Sequence, residues 1–168
     1  GSGKSTVGHA VADSLVARGV HSYVLDGDNV RLGLNSDLGF SPEDRTENIR
    51  RVSEVAKLFA DAGVVTVVAF ISPYRDDRAQ ARETIGDRSF LEVFVDTPIE
   101  LCEERDPKGL YRKARAGEIP EFTGVSAPYE APESPEMTIR TAEVDVDQAA
   151  GQVIDELERR GFLPGGRG

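Results

Sequence analysis

Gly1-Ser2-Gly3-Lys4-Ser5-Thr6, the first residues of the chain, decide the fold that the rest of the sequence has to satisfy. Gly3-Lys4-Ser5 matches the end of the phosphate-binding motif G-x-x-x-x-G-K-[ST], whose first glycine would then lie before residue 1. Glycines let backbone N–H groups turn toward phosphate oxygens, and the N-terminus of a following helix adds partial positive charge. We therefore expect Lys4 to contact nucleotide phosphates and the Ser5 hydroxyl to bind Mg²⁺. A plain Gly/Ser turn that caps a helix would not need the lysine.

Apolar β-branched runs alternate with helical patterns after this loop. The predicted strands are 22–25, 64–70, 90–95 and 137–141, and the predicted helices are 4–18, 42–62, 75–85, 97–105, 108–116 and a last one striped by Ala149, Val153 and Leu157. The run 64–70 lacks alternation, which predicts a strand buried on both faces. Ser41 is expected to cap the second helix, with Asp44 at the capping-box position.

This alternation predicts an α/β fold of the P-loop NTPase type, with a parallel sheet, helices on both faces and a helical lid. Residues 1–168 are expected to form a single domain. A further strand, leading into the phosphate loop, is expected upstream of Gly1. The proline-rich stretch 118–135 is expected to be a structured loop, and 162–168 a flexible tail.

The chain has 168 residues, a net charge of −10 and a single cysteine, Cys102. Nucleic-acid and membrane binding are not expected, because phosphate backbones attract basic surfaces and no apolar run reaches the roughly 20 residues of a membrane span. One cysteine can form no internal disulfide, which fits a cytoplasmic setting. Small anions would bind where cations gather, and the sequence has two such groups: Arg45, Arg50 and Arg51, and then Lys108, Arg112, Lys113 and Arg115.

Two aspartates end predicted strands and compete for the magnesium side of the site. Asp26 begins the cluster Asp26-Gly27-Asp28-Asn29, expected in a loop with Arg31 close behind, whereas Asp96 precedes Thr97-Pro98, where a helix cap is the plainer interpretation. Both positions qualify, since ligands of open α/β sheets lie at the carboxyl ends of strands. The residues thus predict a small P-loop phosphotransferase with arginines for an anionic acceptor, and they leave the acceptor open.

Several blocks of the sequence resemble the adenylylsulfate kinase (APS kinase) family, in that family's order and along nearly the whole chain. The blocks are Asp26-Gly27-Asp28-Asn29-Val30-Arg31, Gly39-Phe40-Ser41-Pro42-Glu43-Asp44-Arg45, Glu47-Asn48-Ile49-Arg50-Arg51, Phe70-Ile71-Ser72-Pro73-Tyr74-Arg75, Asp106-Pro107-Lys108-Gly109-Leu110-Tyr111, Lys113-Ala114-Arg115-Ala116-Gly117-Glu118-Ile119 and Phe122-Thr123-Gly124. Each block alone is modestly specific, and together they are highly specific.

The resemblance implies an enzyme that moves the γ-phosphate of MgATP to the 3′-hydroxyl of adenosine 5′-phosphosulfate (APS). On the ATP side it implies Gly1 to Thr6 around the phosphates, Arg105 and Val144 near the adenine, and Ser5 and Asp26 at Mg²⁺, with Lys4, Asp26 and Ser72 as catalytic residues. The implied acceptor-binding residues are Asp26, Asp28, Asn29, Arg31, Phe40, Arg45, Asn48, Ile71, Ser72, Lys108, Gly109, Leu110, Phe122 and Thr123. Among them, Arg31 and Arg45 would bind the phosphosulfate. Phe40 and Phe122 would stack on the two faces of the adenine. The lid would begin at Lys108-Gly109-Leu110.

Three alternatives remain open at this point. Ser72 is either a phosphorylated intermediate or a strand-end hydroxyl that binds ligand, and direct in-line transfer favours the second. The acceptor could instead be gluconate or shikimate, although paired Phe40 and Phe122 favour a nucleotide. The chain could also be a P-loop domain without catalysis that regulates a fused partner, but Lys4 and Asp26 are both present. The family further implies a homodimer and, in some members, fusion to an ATP sulfurylase component.

Overall fold

The computed structural model describes residues 1–163, and the remaining part of the predicted tail, 164–168, lies outside the described residues. Helices and strands alternate along the chain as the sequence predicts. In order they are α1 (Lys4–Ala17), β1 (Ser22–Asp26), α2 (Gly27–Arg31), α3 (Pro42–Asp61), β2 (Val65–Ala69), α4 (Arg75–Ile85), a 3₁₀ helix (Asp87–Ser89), β3 (Val93–Asp96), α5 (Ile99–Arg105), α6 (Leu110–Arg115), β4 (Met137–Arg140) and α7 (Val146–Arg159).

The strand pairs of the described residues are parallel. β1 pairs with β2 so that Asp26 lies opposite Ala69, and β3 pairs with β4 so that Asp96 lies opposite Arg140. Parallel pairing is therefore confirmed, but residues 1–163 contain two sheets of two strands each rather than one continuous sheet. Both candidate aspartates stand at the carboxyl ends of their strands, where the sequence predicts the site.

The main core lies between α1 and α7 and extends over both sheets. Leu15 of α1 and Ile139 of β4 are fully buried, and Val67 of β2 packs against the same cluster. Leu25 of β1 packs instead with Val52 of α3 in a second cluster. Because Leu25 pairs with the strand neighbour of Val67, these two side chains point to opposite faces of the sheet. Helices thus cover both faces, as predicted.

Shortening Leu15 to alanine is expected to lower the free energy of unfolding by about 2–5 kcal/mol, since a deleted buried leucine leaves a cavity. Leu15 is 0% exposed, whereas Val16, the next residue of the same helix, is 62% exposed. Val16→Ala is therefore the matched control, with an expected change below about 0.5 kcal/mol. Urea denaturation followed by circular dichroism measures both variants. Equal losses would show that the α1–α7 core does not carry the stability of the fold.

Two strands differ from their predicted form. β2 is less buried than its lack of alternation implies, because Val68 is 42% exposed near the end of the strand that leads into the site. β3 begins at Val93 rather than at residue 90. Residues 90–92 connect the 3₁₀ helix to β3 without being part of the strand. In this connection the Glu92 N–H donates to the side chain of Glu136, at Oε2 and 2.7 Å, and not to a neighbouring strand.

The beginning of the predicted tail is packed rather than flexible. Leu163 is 5% exposed within the α1–α7 core, and Phe162 packs against the same cluster. Burial of these two apolar side chains favours their packing, although proline and glycine follow them in the sequence. In the part of the chain that the structure describes, none of the helices combines the length and the apolar content needed to cross a bilayer.

Candidate active site

The phosphate loop is anchored to the ends of β3 and β4. The hydroxyls of Thr97 and Thr141, which follow these strands, both donate to the Ser2 carbonyl oxygen, at 3.0 and 3.2 Å. Gly3 adopts the left-handed conformation, with φ 90°, immediately before α1. A Cβ atom on Gly1 would lie 2.5 Å from the carbonyl oxygen of Cys102 on α5, so the loop needs glycine there. Two separated segments of the chain, 97–102 and the end of β4, thus hold the loop.

Lys4, the first residue of α1, is half-buried beside charged groups of both signs. Burial lowers the pKa of Lys4, and the Lys108 ammonium lowers it further, while the carboxylates of Asp28 and Asp26 act in the opposite direction. These groups are therefore close enough to interact. Ser5 is also half-buried on the first turn of α1, and Thr6 is exposed.

Asp26 caps helix α2, a short helix that the sequence placed in a loop. Its Oδ1 atom accepts from the backbone N–H groups of Asp28 and Asn29 at 3.0 and 2.9 Å. The Asn29 N–H contributes most to lowering the pKa of Asp26, so this carboxyl is ionised at neutral pH. The Asn29 side chain bonds back, with Oδ1 accepting from the Asp26 N–H at 3.1 Å and Nδ2 donating to the Val24 carbonyl oxygen at 2.9 Å. Asn29 thus orients Asp26, and its contact with the acceptor stays a prediction.

His9 contacts Asp26, a contact that the sequence analysis missed. Its Nε2 atom lies 3.4 Å from Asp26 Oδ2. The available signal was its position on α1, because His9 follows Ser5 by one helical turn and shares its face. The spacing Asp26-x-x-Asn29, typical of a helix cap, likewise signals α2.

Asp96, the competing aspartate, is engaged elsewhere. Its Oδ2 atom lies 3.8 Å from Arg140 Nε on the adjacent strand. It is not the cap of α5, because Pro98 occupies that position. Only Asp26 of the two is among the charges that shift the pKa of Lys4. Because Asp96 is paired with Arg140 while Asp26 interacts with the Lys4 charge, Asp26 is the better candidate for the magnesium side of the site.

An exposed phenylalanine lies close to two arginines at the other end of α2. Phe40 is 60% exposed, and the guanidinium carbons of Arg31 and Arg45 lie 4.4 and 5.8 Å from its ring centroid. Arg31 Nη1 donates to the carbonyl oxygens of Leu38 and Gly39 at 3.2 and 2.9 Å. Burial and then the Arg45 charge lower the pKa of Arg31. Two cations held this close favour binding of an anion.

Arg45 also connects the Phe40 segment to the loop that carries Phe122. Its Nη1 atom donates to Thr123 Oγ1 at 3.0 Å and its Nη2 atom to the Glu121 carbonyl oxygen at 2.7 Å. Phe122 packs edge-on against Tyr111 of α6, with 5.0 Å between ring centroids. The two predicted adenine-stacking residues are thus tied to one arginine.

Asn48 lies on α3 and is 4% exposed. Its Oδ1 atom accepts from Asn35 Nδ2 at 2.9 Å, and Asn35 is itself fully buried. This bond fixes the side-chain amide of Asn48, so that its Nδ2 group is the one left to donate to a ligand. Asn35 had not been predicted at the site.

The start of α3 forms only half of the predicted capping box. Ser41 Oγ accepts from the Asp44 N–H at 3.1 Å, with Pro42 in the first turn. The Asp44 carboxylate turns instead to the Gly39 N–H, at 2.9 Å, because the loop before the helix needs this acceptor. Asp44 thus shapes the Phe40 loop.

The basic segment forms helix α6, as predicted, and Lys108, two residues before this helix, contacts the Asp26 cluster. Gly109 caps the helix with φ 66°, and Leu110 is 37% exposed. Lys108 Nζ donates to Asp28 Oδ2 at 2.7 Å. Lys108 and Gly109 border a cavity of about 480 Å³ that Arg112 and Lys113 also line. The Lys108–Asp28 contact joins the expected lid to the Asp26 cluster, and its closure over the site stays a prediction.

The first predicted group of cations is only partly available to anions. Arg50 binds Glu47 through two hydrogen bonds of 2.7 and 2.9 Å, and Arg51 binds both Glu47 and Asp37. The two arginines lower the pKa of Glu47 to about 2. In the second group, Arg115 is paired with Glu103. Neighbouring carboxylates thus neutralise Arg50, Arg51 and Arg115, and clustering in the sequence was a wrong indicator for them.

Arg105 is linked to the phosphate loop through Thr141, and no such link is seen for Val144 in residues 1–163. Arg105 donates to Thr141 through Nη1 and Nη2, at 3.1 and 3.0 Å, and Thr141 contacts Ser2. Val144 packs against the α1–α7 core.

Ile71 is 47% exposed beyond the end of β2, and Ser72 follows it with a positive φ of 44°. Their predicted ligand contacts stay predictions.

Residues 1–163 contain no group of three or more His, Cys, Asp or Glu side chains that could hold a metal ion by themselves. Mg²⁺ does not require such a group when it is bound with a nucleotide, because phosphates and water supply most of its ligands. The Ser5 hydroxyl and the ionised Asp26 carboxylate are hard oxygen donors of the type that Mg²⁺ prefers. The residues present therefore fit this ion.

Phosphoryl transfer requires a loop that can bind phosphates and charged groups that align and stabilise the reacting atoms. The fold and the site of this chain provide both, and together they define a P-loop kinase. The sequence model of the family described as adenylylsulphate kinase matches residues 1–140. The chain belongs to the adenylyl-sulfate kinase family.

Relatives and solved structures agree with this assignment. The adenylyl-sulfate kinase of Staphylococcus epidermidis is 58% identical, with 97% of this chain and 82% of that protein covered. That of Geotalea uraniireducens is 54% identical, with 99% and 80% covered. The structure of the Mycobacterium tuberculosis APS kinase CysC in complex with AMPPNP and APS has a TM-score of 0.91 and 52% identity, with 94% of this chain and 92% of that chain covered. A hexameric APS kinase from Thiobacillus denitrificans has a TM-score of 0.71 and 31% identity, with 98% and 28% covered.

Proposed function

We propose that this chain transfers the γ-phosphate of ATP to the 3′-hydroxyl of APS, producing ADP and 3′-phosphoadenylyl sulfate. The observation that carries the proposal is the placement of Asp26 and Arg31 at the two ends of α2. A helix rises about 1.5 Å per residue, so the Cα atoms of Asp26 and Arg31 are roughly 8 Å apart along the axis. The helix thus separates the candidate reacting carboxylate from the candidate anion-binding arginine, as an acceptor with a hydroxyl at one end and an anionic group at the other would require.

On the donor side, the residues act through alignment and charge. The backbone of Gly1 to Thr6 and the N-terminus of α1 would bind the phosphates, and Lys4 would balance the charge on the transferred group. Mg²⁺, when bound by Ser5 and Asp26, would supply further neutralisation of the phosphate charge. Asp26 would also orient the acceptor hydroxyl and accept its proton, since its carboxyl is ionised.

On the acceptor side, Phe40 offers an exposed aromatic face for adenine, and Phe122 stands at the other loop joined by Arg45. Arg31 and Arg45 would bind the phosphosulfate, and the fixed amide of Asn48 would add a donor. An exposed aromatic ring beside two cations suits a nucleotide better than gluconate or shikimate, which have no base to stack.

The lid would close this site against water. Lys108 already reaches the Asp26 cluster through Asp28, and the cavity beside it is lined by further basic residues. Closure would limit hydrolysis of ATP, because water competes with the acceptor for the same phosphate. Ser72 would bind ligand rather than carry phosphate, since direct transfer needs no protein nucleophile.

The decisive experiment measures ADP release from MgATP with and without APS. We expect ADP formation that depends on APS, together with a product phosphorylated at the 3′ position and identified by mass spectrometry. The control replaces APS by AMP, which offers the adenine and the ribose without the sulfate. A folded protein that binds ATP but shows no response to APS would contradict the proposal and favour a regulatory P-loop domain.

We further propose that the protein acts in the cytoplasm as a homodimer, as its family resemblance implies. The hexameric relative is much longer than this chain, which covers 28% of it. Fusion to an ATP sulfurylase component belongs to the same proposal. Analytical ultracentrifugation distinguishes a dimer from a hexamer.

A further inference from the structure

Ser72 has a backbone conformation that residues with a Cβ atom rarely adopt. Among residues 1–163, Ser72 and Glu121 are the non-glycine residues whose φ lies well inside the left-handed region, at 44° and 52°. In both cases an arginine holds the carbonyl oxygen: Arg78 Nη1 donates to Ser72 at 2.6 Å, and Arg45 Nη2 donates to Glu121 at 2.7 Å. Unfavourable conformations persist only where neighbouring groups fix them, and they occur preferentially at ligand sites.

Arg78 connects Ser72 to a second segment. Its Nη2 atom donates to the Glu130 carbonyl oxygen at 2.6 Å, and its Nε atom donates to Glu92 Oε1 at 2.9 Å. The Arg78 side chain is only 12% exposed. One planar guanidinium thus holds three acceptors from three separate segments, which a lysine ammonium cannot reproduce.

The segment at Glu130 is attached to the Ser72 loop by two further bonds. The Glu130 N–H donates to the Pro73 carbonyl oxygen at 2.8 Å, and Glu130 Oε2 accepts from the Arg75 N–H at 2.7 Å. The same stretch of chain, some residues earlier, carries Phe122. Arg78 therefore lies where the loop after β2 meets the loop that carries an acceptor residue.

The Ser72 loop is close to the reacting carboxylate. Asp26 pairs with Ala69 across the β1–β2 ladder, and adjacent strands lie about 4.8 Å apart. Ile71 and Ser72 follow Ala69 directly after Phe70, at the same edge of the sheet. A shift of this loop would move the wall of the site beside Asp26.

We propose that Arg78 is a positioning residue that holds the Ile71–Ser72 backbone in its acceptor-binding conformation. Arg78 contacts no substrate in this proposal. It acts through the Ser72 carbonyl group and through the Glu130 segment. The proposal rests on the proposed function in assigning the acceptor to this loop.

The first test is Arg78→Lys, which keeps the charge near Glu92 but loses the simultaneous bonds. We expect the KM for APS to rise about tenfold, as loss of a charge-assisted hydrogen bond implies, with the KM for ATP changed by less than about twofold. Arg82→Lys is the matched control. Arg82 belongs to the same network through Glu136 and Glu92 and, in the described part of the chain, forms no bond to Ser72. An equal rise in the KM for APS in both variants would reduce Arg78 to a general structural role and overturn the proposal.

A second test separates backbone conformation from the Ser72 hydroxyl. Ser72→Gly and Ser72→Ala both remove the hydroxyl, but only glycine adopts a φ of 44° without strain. Arg78→Lys is expected to raise the KM for APS about tenfold in the alanine background and less than about threefold in the glycine background. Equal effects in the two backgrounds would show that Arg78 does not act through this conformation.

Amide hydrogen exchange tests the contact without any acceptor. Arg78→Lys should speed exchange in 70–74 and 128–131, while Arg82→Lys should leave these segments unchanged. Unchanged exchange in Arg78→Lys would overturn the proposal directly. If the wild-type protein proved inactive with APS while the exchange effect was present, the proposed function would fail and the positioning role of Arg78 would stand.

Discussion

Replacing Lys4 by methionine is expected to lower kcat for ADP formation by about 10²–10³-fold, the size of effect that follows the loss of one charge-stabilising donor. Methionine keeps the unbranched shape of the side chain, so α1 should remain intact. Lys4 is half-buried, and burial lowers its pKa while the carboxylates of Asp28 and Asp26 favour its charged form. Its removal would leave the phosphate charge less balanced during transfer. Steady-state ADP release at saturating ATP and APS measures the change.

The control for this variant is Lys57→Met, the same substitution on an exposed part of α3. It should leave kcat within about twofold of wild type, as surface substitutions outside a site usually do. A Lys4→Met protein that kept its kcat would mean that the loop does not act in phosphoryl transfer, and the interpretation as a regulatory domain would replace the proposal.

Asp26→Asn is expected to lower kcat by about 10²–10⁴-fold, because asparagine can neither accept the acceptor proton nor supply a carboxylate to Mg²⁺. The fold should be retained, since asparagine caps helices as well as aspartate does. The thermal midpoint of unfolding should therefore change little while kcat falls. Rapid-quench measurement of a single turnover assigns the loss to the chemical step.

Asp96→Asn is the matched control for Asp26→Asn, because Asp96 also ends a parallel strand but faces Arg140. We expect its kcat to stay within about threefold of wild type. The opposite result, a large loss for Asp96→Asn and a small one for Asp26→Asn, would transfer the catalytic role to the β3–β4 sheet.

The parts of the fold that follow from local patterns could be predicted from the sequence. The i, i+4 spacing of Val7, Val11 and Leu15 located the buried face of α1, and Ser41 with Pro42 located the start of α3. The motif at Gly3-Lys4-Ser5 placed the phosphate loop before a helix. These features depend on neighbours within a few residues, so a single sequence contains them.

The features that depend on distant partners could not be predicted. The sequence places Arg50 and Arg51 in a group of cations that indicates an anion site. In the structure Glu47 pairs with Arg50, and Asp37 pairs with Arg51. Whether an arginine is free depends on which carboxylates the fold brings near, and the sequence alone does not give those distances. The left-handed conformation of Ser72 is likewise fixed by Arg78 from another element.

The Ser2 carbonyl oxygen accepts hydrogen bonds from Thr97 and Thr141, far along the chain, and this has a thermodynamic consequence. A ligand that binds only the native phosphate loop also stabilises whatever structure that loop requires. Docking of the β3–β4 sheet and capture of nucleotide are therefore linked equilibria, each favouring the other. The nucleotide would act in this sense as a ligand that stabilises the contacts between the β3–β4 sheet and the phosphate loop, as well as a substrate.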